Sequence, residues 1–218
     1  MNPLSVLRDS LYFFRSHLGN IVTLCLPLIV LECLLSQLLM SQLGERSGMA
    51  AATAVGLALY PLYNAALILY LDTRSNDQQI ANRDLLARAA QLWAPLVMLL
   101  VISFLLIIAG LALLVIPGIW IMINLVFAEY LLVLRGMPVM QAMRASAAMT
   151  TGNFLRILVC LLAVLAPLWL IDALLMTAFP DPAPGVELLL DSLNGFLSLF
   201  ITVVLYRLFM LLEGEAGA

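Results

Sequence analysis

Apolar residues run through this chain in long blocks rather than alternating with polar ones. In the longest block, Ala94 to Leu134, there is no Lys, Arg or Asp, and the only formal charge is Glu129. About 20 apolar residues suffice to cross a bilayer as a helix, so this block predicts two crossings, 94–116 and 118–134. The turn between them is expected at Pro117-Gly118, because proline fixes φ and lacks an N–H while glycine reaches angles other residues avoid. Trp120 then falls where an amphipathic aromatic prefers to be, near the lipid headgroups.

Four further blocks predict crossings at 21–43, 49–71, 154–179 and 186–212. Gly44–Gly48 and Pro180–Gly185 read as short turns, and Asp72 to Gln91 is the most polar stretch. Pro27, Pro61 and Pro167 lie inside crossings and are expected to kink them. Before each pair of crossings comes a segment with helical spacing. In 2–20 the stripe is Leu4, Leu7, Leu11, Phe14 and Leu18; in 82–93 it is Leu85, Leu86, Ala89 and Leu92. In 138–152 it is Met140, Met143 and Ala147, with Met137 just before. Such stripes predict amphipathic helices in the membrane surface or against neighbouring helices. Residues 2–20 do not read as a signal peptide, because polar residues run through them and the apolar run that follows is too long. The expected fold class is therefore all-α: a polytopic membrane protein forming a single membrane domain over 1–218, with six crossings and three interfacial helices on the cytoplasmic side.

Composition agrees. Of 218 residues, 64% are hydrophobic and 11% charged, where soluble domains carry about 25% charged residues. The formal charge of −3 gives no argument for nucleic-acid binding. All ten basic residues are arginines, and their placement carries more than their number. With six crossings, Arg8, Arg15, Arg74, Arg83, Arg88, Arg135, Arg144, Arg156 and Arg207 fall on one side and Arg46 on the other. Positive charge is retained in the cytoplasm, so both termini and the interfacial helices are expected there. On that side Arg83, Arg88, Arg135, Arg144 and Arg156 are placed to contact anionic headgroups.

Ionisable groups at bilayer depth cost about 2.5–3.5 kcal/mol on insertion scales, so each needs a reason. Glu32, Asn64, Asp172, Asp191 and Asn194 form the candidate intramembrane polar cluster. They either line a polar cavity tied to proton or cation movement or join helices by hydrogen bonds, for example Glu32 to Asn64. Glu129 and Arg207 each fall about five residues from the cytoplasmic end of a helix, which predicts a structural ion pair between them. Cys25, Cys33 and Cys160 sit in apolar runs without disulfide or zinc spacing, and His17 lies on a polar face beside Arg15. No metal and no cofactor is expected. There is no Gly-Lys-Ser/Thr phosphate loop, no His-Glu-x-x-His and no Gly-x-Ser-x-Gly, and the polar segments are too short to hold a soluble catalytic domain. Enzymatic activity is not expected.

Gly110 to Arg156 carries Leu114-Val115-Ile116-Pro117-Gly118-Ile119, Phe127-Ala128-Glu129, Gln141-Ala142-Met143-Arg144-Ala145-Ser146 and Thr151-Gly152-Asn153. This run resembles the YciC-type family of uncharacterised bacterial inner-membrane proteins. It is also similar to the membrane domain joined to some glycerophosphodiester phosphodiesterases. The resemblance implies six crossings, a bacterial inner-membrane location and a link to lipids or envelope upkeep, and it brings no catalytic residues. The expected function is thus non-enzymatic: interaction with membrane lipids or with another envelope membrane protein. The alternative is a small transporter or channel using Glu32, Asn64 and Asp172.

Overall fold

The computed structural model describes residues 3–76, 78, 80–180 and 183–216, and every regular element among them is a helix. In chain order these are α1 (Pro3–Ser16), α2 (Leu18–Ser75), α3 (Asn82–Gln91), α4 (Trp93–Leu113), α5 (Val115–Leu125), α6 (Ala128–Arg135), α7 (Val139–Thr150), α8 (Phe154–Ala178) and α9 (Pro184–Ala216). Helices satisfy every backbone N–H and C=O internally, which is why long apolar runs resolve into them. Six stretches are long and apolar enough to cross a membrane: Leu18–Gly44, Arg46–Ser75, Trp93–Leu113, Val115–Arg135, Phe154–Ala178 and Pro184–Gly214. The protein is a polytopic, all-α membrane protein.

Two of the expected turns are built differently. Gly44–Gly48 is not a loop. Helical backbone is interrupted only at Gly44, with φ 72° and ψ 172°, and the chain reverses on that one residue. An L side chain is strained at such a φ, and glycine is not. The reversal between 94–116 and 118–134 is likewise not at Pro117-Gly118. It falls at Leu114, an extended residue with φ −163° and ψ 153°, and α5 begins at Val115. Pro117 lies in the first turn of α5, where a missing N–H leaves no intrahelical bond unmade. Gly118 serves close approach instead: a Cβ there would come within 2.9 Å of the Leu111 backbone N. Of the Pro180–Gly185 turn, Asp181 and Pro182 lie outside the described residues, and helix resumes at Pro184. The helical backbone continues through Pro27, Pro61 and Pro167.

The long final helix α9 is the hub. It packs against α1, α2 and α8. Phe209 on it meets Phe127 and Tyr130 with ring centroids 5.9 and 5.8 Å away. The core continues through Ile21, Leu24, Leu67 and Leu71, all fully buried. Large side chains on the outer faces of α4 and α8, such as Leu105 and Trp169, are exposed and form the surface a bilayer would cover.

Two of the short helices, α1 and α7, follow their stripes only in part. In α1 the residues turned inward are Val6, Ser10 and Phe14, whereas Leu11 is 57% exposed. In α7 they are Val139, Ala142, Met143, Ser146 and Thr150, with Met140 outward. Phe14 and Met143 are the buried members of their expected stripes, and α3 buries two of its own, Leu85 and Ala89. Leu4 is not among the described side chains. The physical reason is that lipid accepts an apolar side chain as readily as a neighbouring helix does.

Candidate functional site

The fourth span is broken. α5 ends at Leu125 and α6 begins at Ala128, and the break frees backbone groups that α7 satisfies. The Phe127 N–H donates to Ser146 Oγ at 3.1 Å, and the same hydroxyl donates to the Asn124 carbonyl at 2.6 Å. Thr150 Oγ1 donates to Asn124 Oδ1 at 2.7 Å. The Ala142-x-x-x-Ser146 spacing on α7 thus has a structural task, which is to hold the broken span in register.

The break sets Glu129 in the first turn of α6, turned toward α2 and α9. Its carboxylate accepts from Asn64 Nδ2 on α2 at 2.5 Å. Thr202 on α9 donates to Asn64 Oδ1 at 2.9 Å, and the Tyr130 hydroxyl donates to the Thr202 carbonyl at 3.0 Å. Three spans are thereby tied by one polar chain whose central member, Asn64, is 4% exposed. A carboxylate at a helix N-terminus also meets the favourable end of the helix dipole.

This chain forms the floor of a groove of about 420 Å³ between α2, α4, α5–α6 and α9. Tyr60 and Tyr63 stand beside the carboxylate, while Phe104, Ile107, Ile201 and Leu205 make apolar walls. The lining residues sit near the middle of their spans, so the groove lies at the depth of hydrocarbon. Phe104, on the α4 lip, is 58% exposed. Such a site, mostly apolar with a few convergent polar groups, is the usual form of a small-ligand pocket.

The expected intramembrane cluster does not assemble as one site. Asn64 belongs to the groove floor, and its partners are Glu129 and Thr202 rather than Glu32. Glu32 is half-buried beside Tyr63 and faces Gly56, where a Cβ would lie 3.2 Å from its Oε1. Asp172 accepts from Asn194 Nδ2 at 3.0 Å, and together with Glu187 and Asp191 it lines a separate cavity of about 350 Å³ near the turn between α8 and α9. The Glu129–Arg207 ion pair is not formed. Arg207 lies 3.8 Å from Asp9, with half its side chain exposed. Positions 202 and 207 are five residues apart, roughly 140° around a helix, so with Thr202 turned to Asn64, Arg207 points away from the Asn64–Glu129 pair. Depth alone matched the two charges, and helical phase separates them.

Among the arginines, Arg135 pairs with Glu213 at 2.6 Å and Arg156 donates to Asn153 Oδ1 at 3.1 Å. Arg83, Arg88 and Arg144 are exposed, with no ion pair among the described residues. No group of His, Cys, Asp and Glu among the described residues could hold a metal ion. Thr202, Tyr130, Tyr60 and Tyr63 were not legible as site residues. A hydroxyl or a tyrosine in an apolar run carries no sign of which helix face it occupies.

Comparison with known proteins bears on the same region. Residues 47–211 match an uncharacterised protein family, UPF0259. The chain belongs to the UPF0259 family. The matched span takes in every residue of the groove, from Tyr60 to Leu205, and leaves out α1 and Glu32. The UPF0259 membrane protein SG1383 of Sodalis glossinidius (strain morsitans) is 28% identical over 206 residues, covering 91% of this chain and 78% of that protein. No solved structure matches.

Proposed function

We propose that this protein is a non-enzymatic, multi-pass inner-membrane protein that takes a lipid-phase ligand laterally into the groove above Glu129. The observation that carries the reading is the groove's position and lining: apolar walls at mid-span, with Glu129 and Asn64 on the floor. A ligand entering there arrives from hydrocarbon, and the floor offers one carboxylate to a hydrogen-bond donor or a cation. Flanking tyrosines suit such a ligand, because aromatic faces attract cations as well as apolar surface. The exposed Arg83, Arg88 and Arg144 suit anionic headgroups at the cytoplasmic surface, with both termini on that side. The likeness to the membrane domain joined to some glycerophosphodiester phosphodiesterases supports a lipid-linked role.

The test is purification of the full chain in native-membrane particles, with mass spectrometry of the lipids retained through detergent exchange. Ser103→Trp places an indole in the groove from α4. The variant should melt as wild type does and lose the retained species. Equal retention by wild type and variant would overturn the reading. A second reading, transport, draws on the separate acidic cavity at Asp172, Glu187 and Asp191. It requires proton or cation flux into proteoliposomes that falls in both Glu129→Gln and Asp172→Asn.

A further inference from the structure

A second cavity, of about 480 Å³, lies between α1, the C-terminal end of α2 and α9. It shares no lining residue with the groove. Its lining is of two kinds. Arg8, Asp9 and Arg207 are charged, and Phe13, Leu71 and Val203 are apolar. It sits beside Ser75, the last residue of its span, at a depth where headgroups meet hydrocarbon.

Two features point to an anion that the chain itself does not supply. Among the lining residues there are two arginines and one carboxylate, an excess of positive charge, with Asp72 outside the lining against Tyr206. The one ion pair within it is loose: Arg207 Nη2 lies 3.8 Å from Asp9 Oδ2, beyond hydrogen-bond length, so its donors are not consumed.

We infer that this cavity binds a phospholipid, with its phosphate held between Arg8 and Arg207 and its proximal acyl chain against Phe13, Leu71 and Val203. The guanidinium fork matches phosphate oxygens two at a time. One phosphodiester neutralises the excess charge. The apolar half of the wall selects a lipid over a soluble phosphate, which would leave that half unused. Asp9 holds Arg207 toward the cavity and discourages a second anion. The inference stands apart from the groove reading, because no residue is common to both sites.

The experiment is native mass spectrometry of the full chain in detergent, titrated with phosphatidylglycerol. Parallel titrations use diacylglycerol with the same chains, which lacks the phosphate, and inorganic phosphate, which lacks the chains. One phosphatidylglycerol should bind saturably, and Arg8→Gln and Arg207→Gln should each weaken it roughly tenfold. Ser103→Trp, in the groove, should leave it unchanged. Because Arg207→Gln also frees Asp9, Arg8→Gln carries the test should Arg207→Gln lower the melting temperature. Unchanged binding in Arg8→Gln would overturn the site. Saturable binding of diacylglycerol at matching strength would show that the arginines contribute nothing. Displacement of the lipid by inorganic phosphate at comparable concentration would make this a soluble-phosphate site and sink the lipid assignment.

Discussion

At the scale of single residues, the arrangement turns on which partner Glu129 takes. Asn64 and Arg207 were both available in sequence, and the structure selects Asn64. A double-mutant cycle separates the two directly. In reversible unfolding from detergent, Asn64→Ala with Glu129→Ala should show a coupling of about 0.5–2 kcal/mol, within the range for interhelical hydrogen bonds in membranes. Glu129→Ala with Arg207→Ala should be additive to within about 0.5 kcal/mol. Coupling in the second pair and none in the first would reverse the assignment. Thr202→Val, nearly isosteric, should cost on the order of 1 kcal/mol by leaving the Asn64 carbonyl without its donor. Charged residues such as Glu129 and Glu32 announced themselves, because charge is conspicuous in an apolar run. Their partners did not. A carboxylate is visible from one position, whereas a contact between Asn64, Thr202 and Tyr130 depends on the rotation of three helices at once.

At the scale of elements, the crossings were legible and the joints between them were not. Crossing ends read from the apolar runs fall within a few residues of the spans, as 94–116 against Trp93–Leu113 illustrates. The reversal at Leu114 was missed because Pro117-Gly118 has the chemistry of a turn, yet proline is equally at home in a helix's first turn. Gly118→Val should therefore act through packing rather than through backbone angle. A side chain there meets Leu111, so a drop of several degrees in melting temperature is expected, and Leu111→Ala should restore part of it. A Gly118→Val chain that melts as wild type does would show that no close approach to Leu111 is made there. The break between α5 and α6 had no sequence signature, since neither proline nor glycine lies within 124–128. What holds it is remote: Ser146 on α7. Ser146→Ala should cost about 1–3 kcal/mol, because the Phe127 N–H is then buried without an acceptor. Melting within 1 °C of wild type would show that another group satisfies it.

At the scale of the whole molecule, the six packed spans leave one side of the bundle indented at mid-depth. The short helices α1 and α7 pack against this bundle by faces that hydrophobic stripes identified only in part, through Phe14 and Met143, because protein and lipid solvate leucine alike. Orientation, by contrast, was read from arginine placement, and reporter fusions at either end check it: both should be active in the cytoplasm. The central claim is that the groove above Glu129 opens to hydrocarbon rather than to water. The most direct measurement is a spin label on Ser103→Cys, in a chain with Cys25, Cys33 and Cys160 replaced by alanine, reconstituted in lipid. Collision with oxygen, which partitions into the bilayer core, should be frequent, and collision with a water-soluble nickel chelate rare. Ready access of the chelate to residue 103 would make the groove an aqueous cavity and contradict the account.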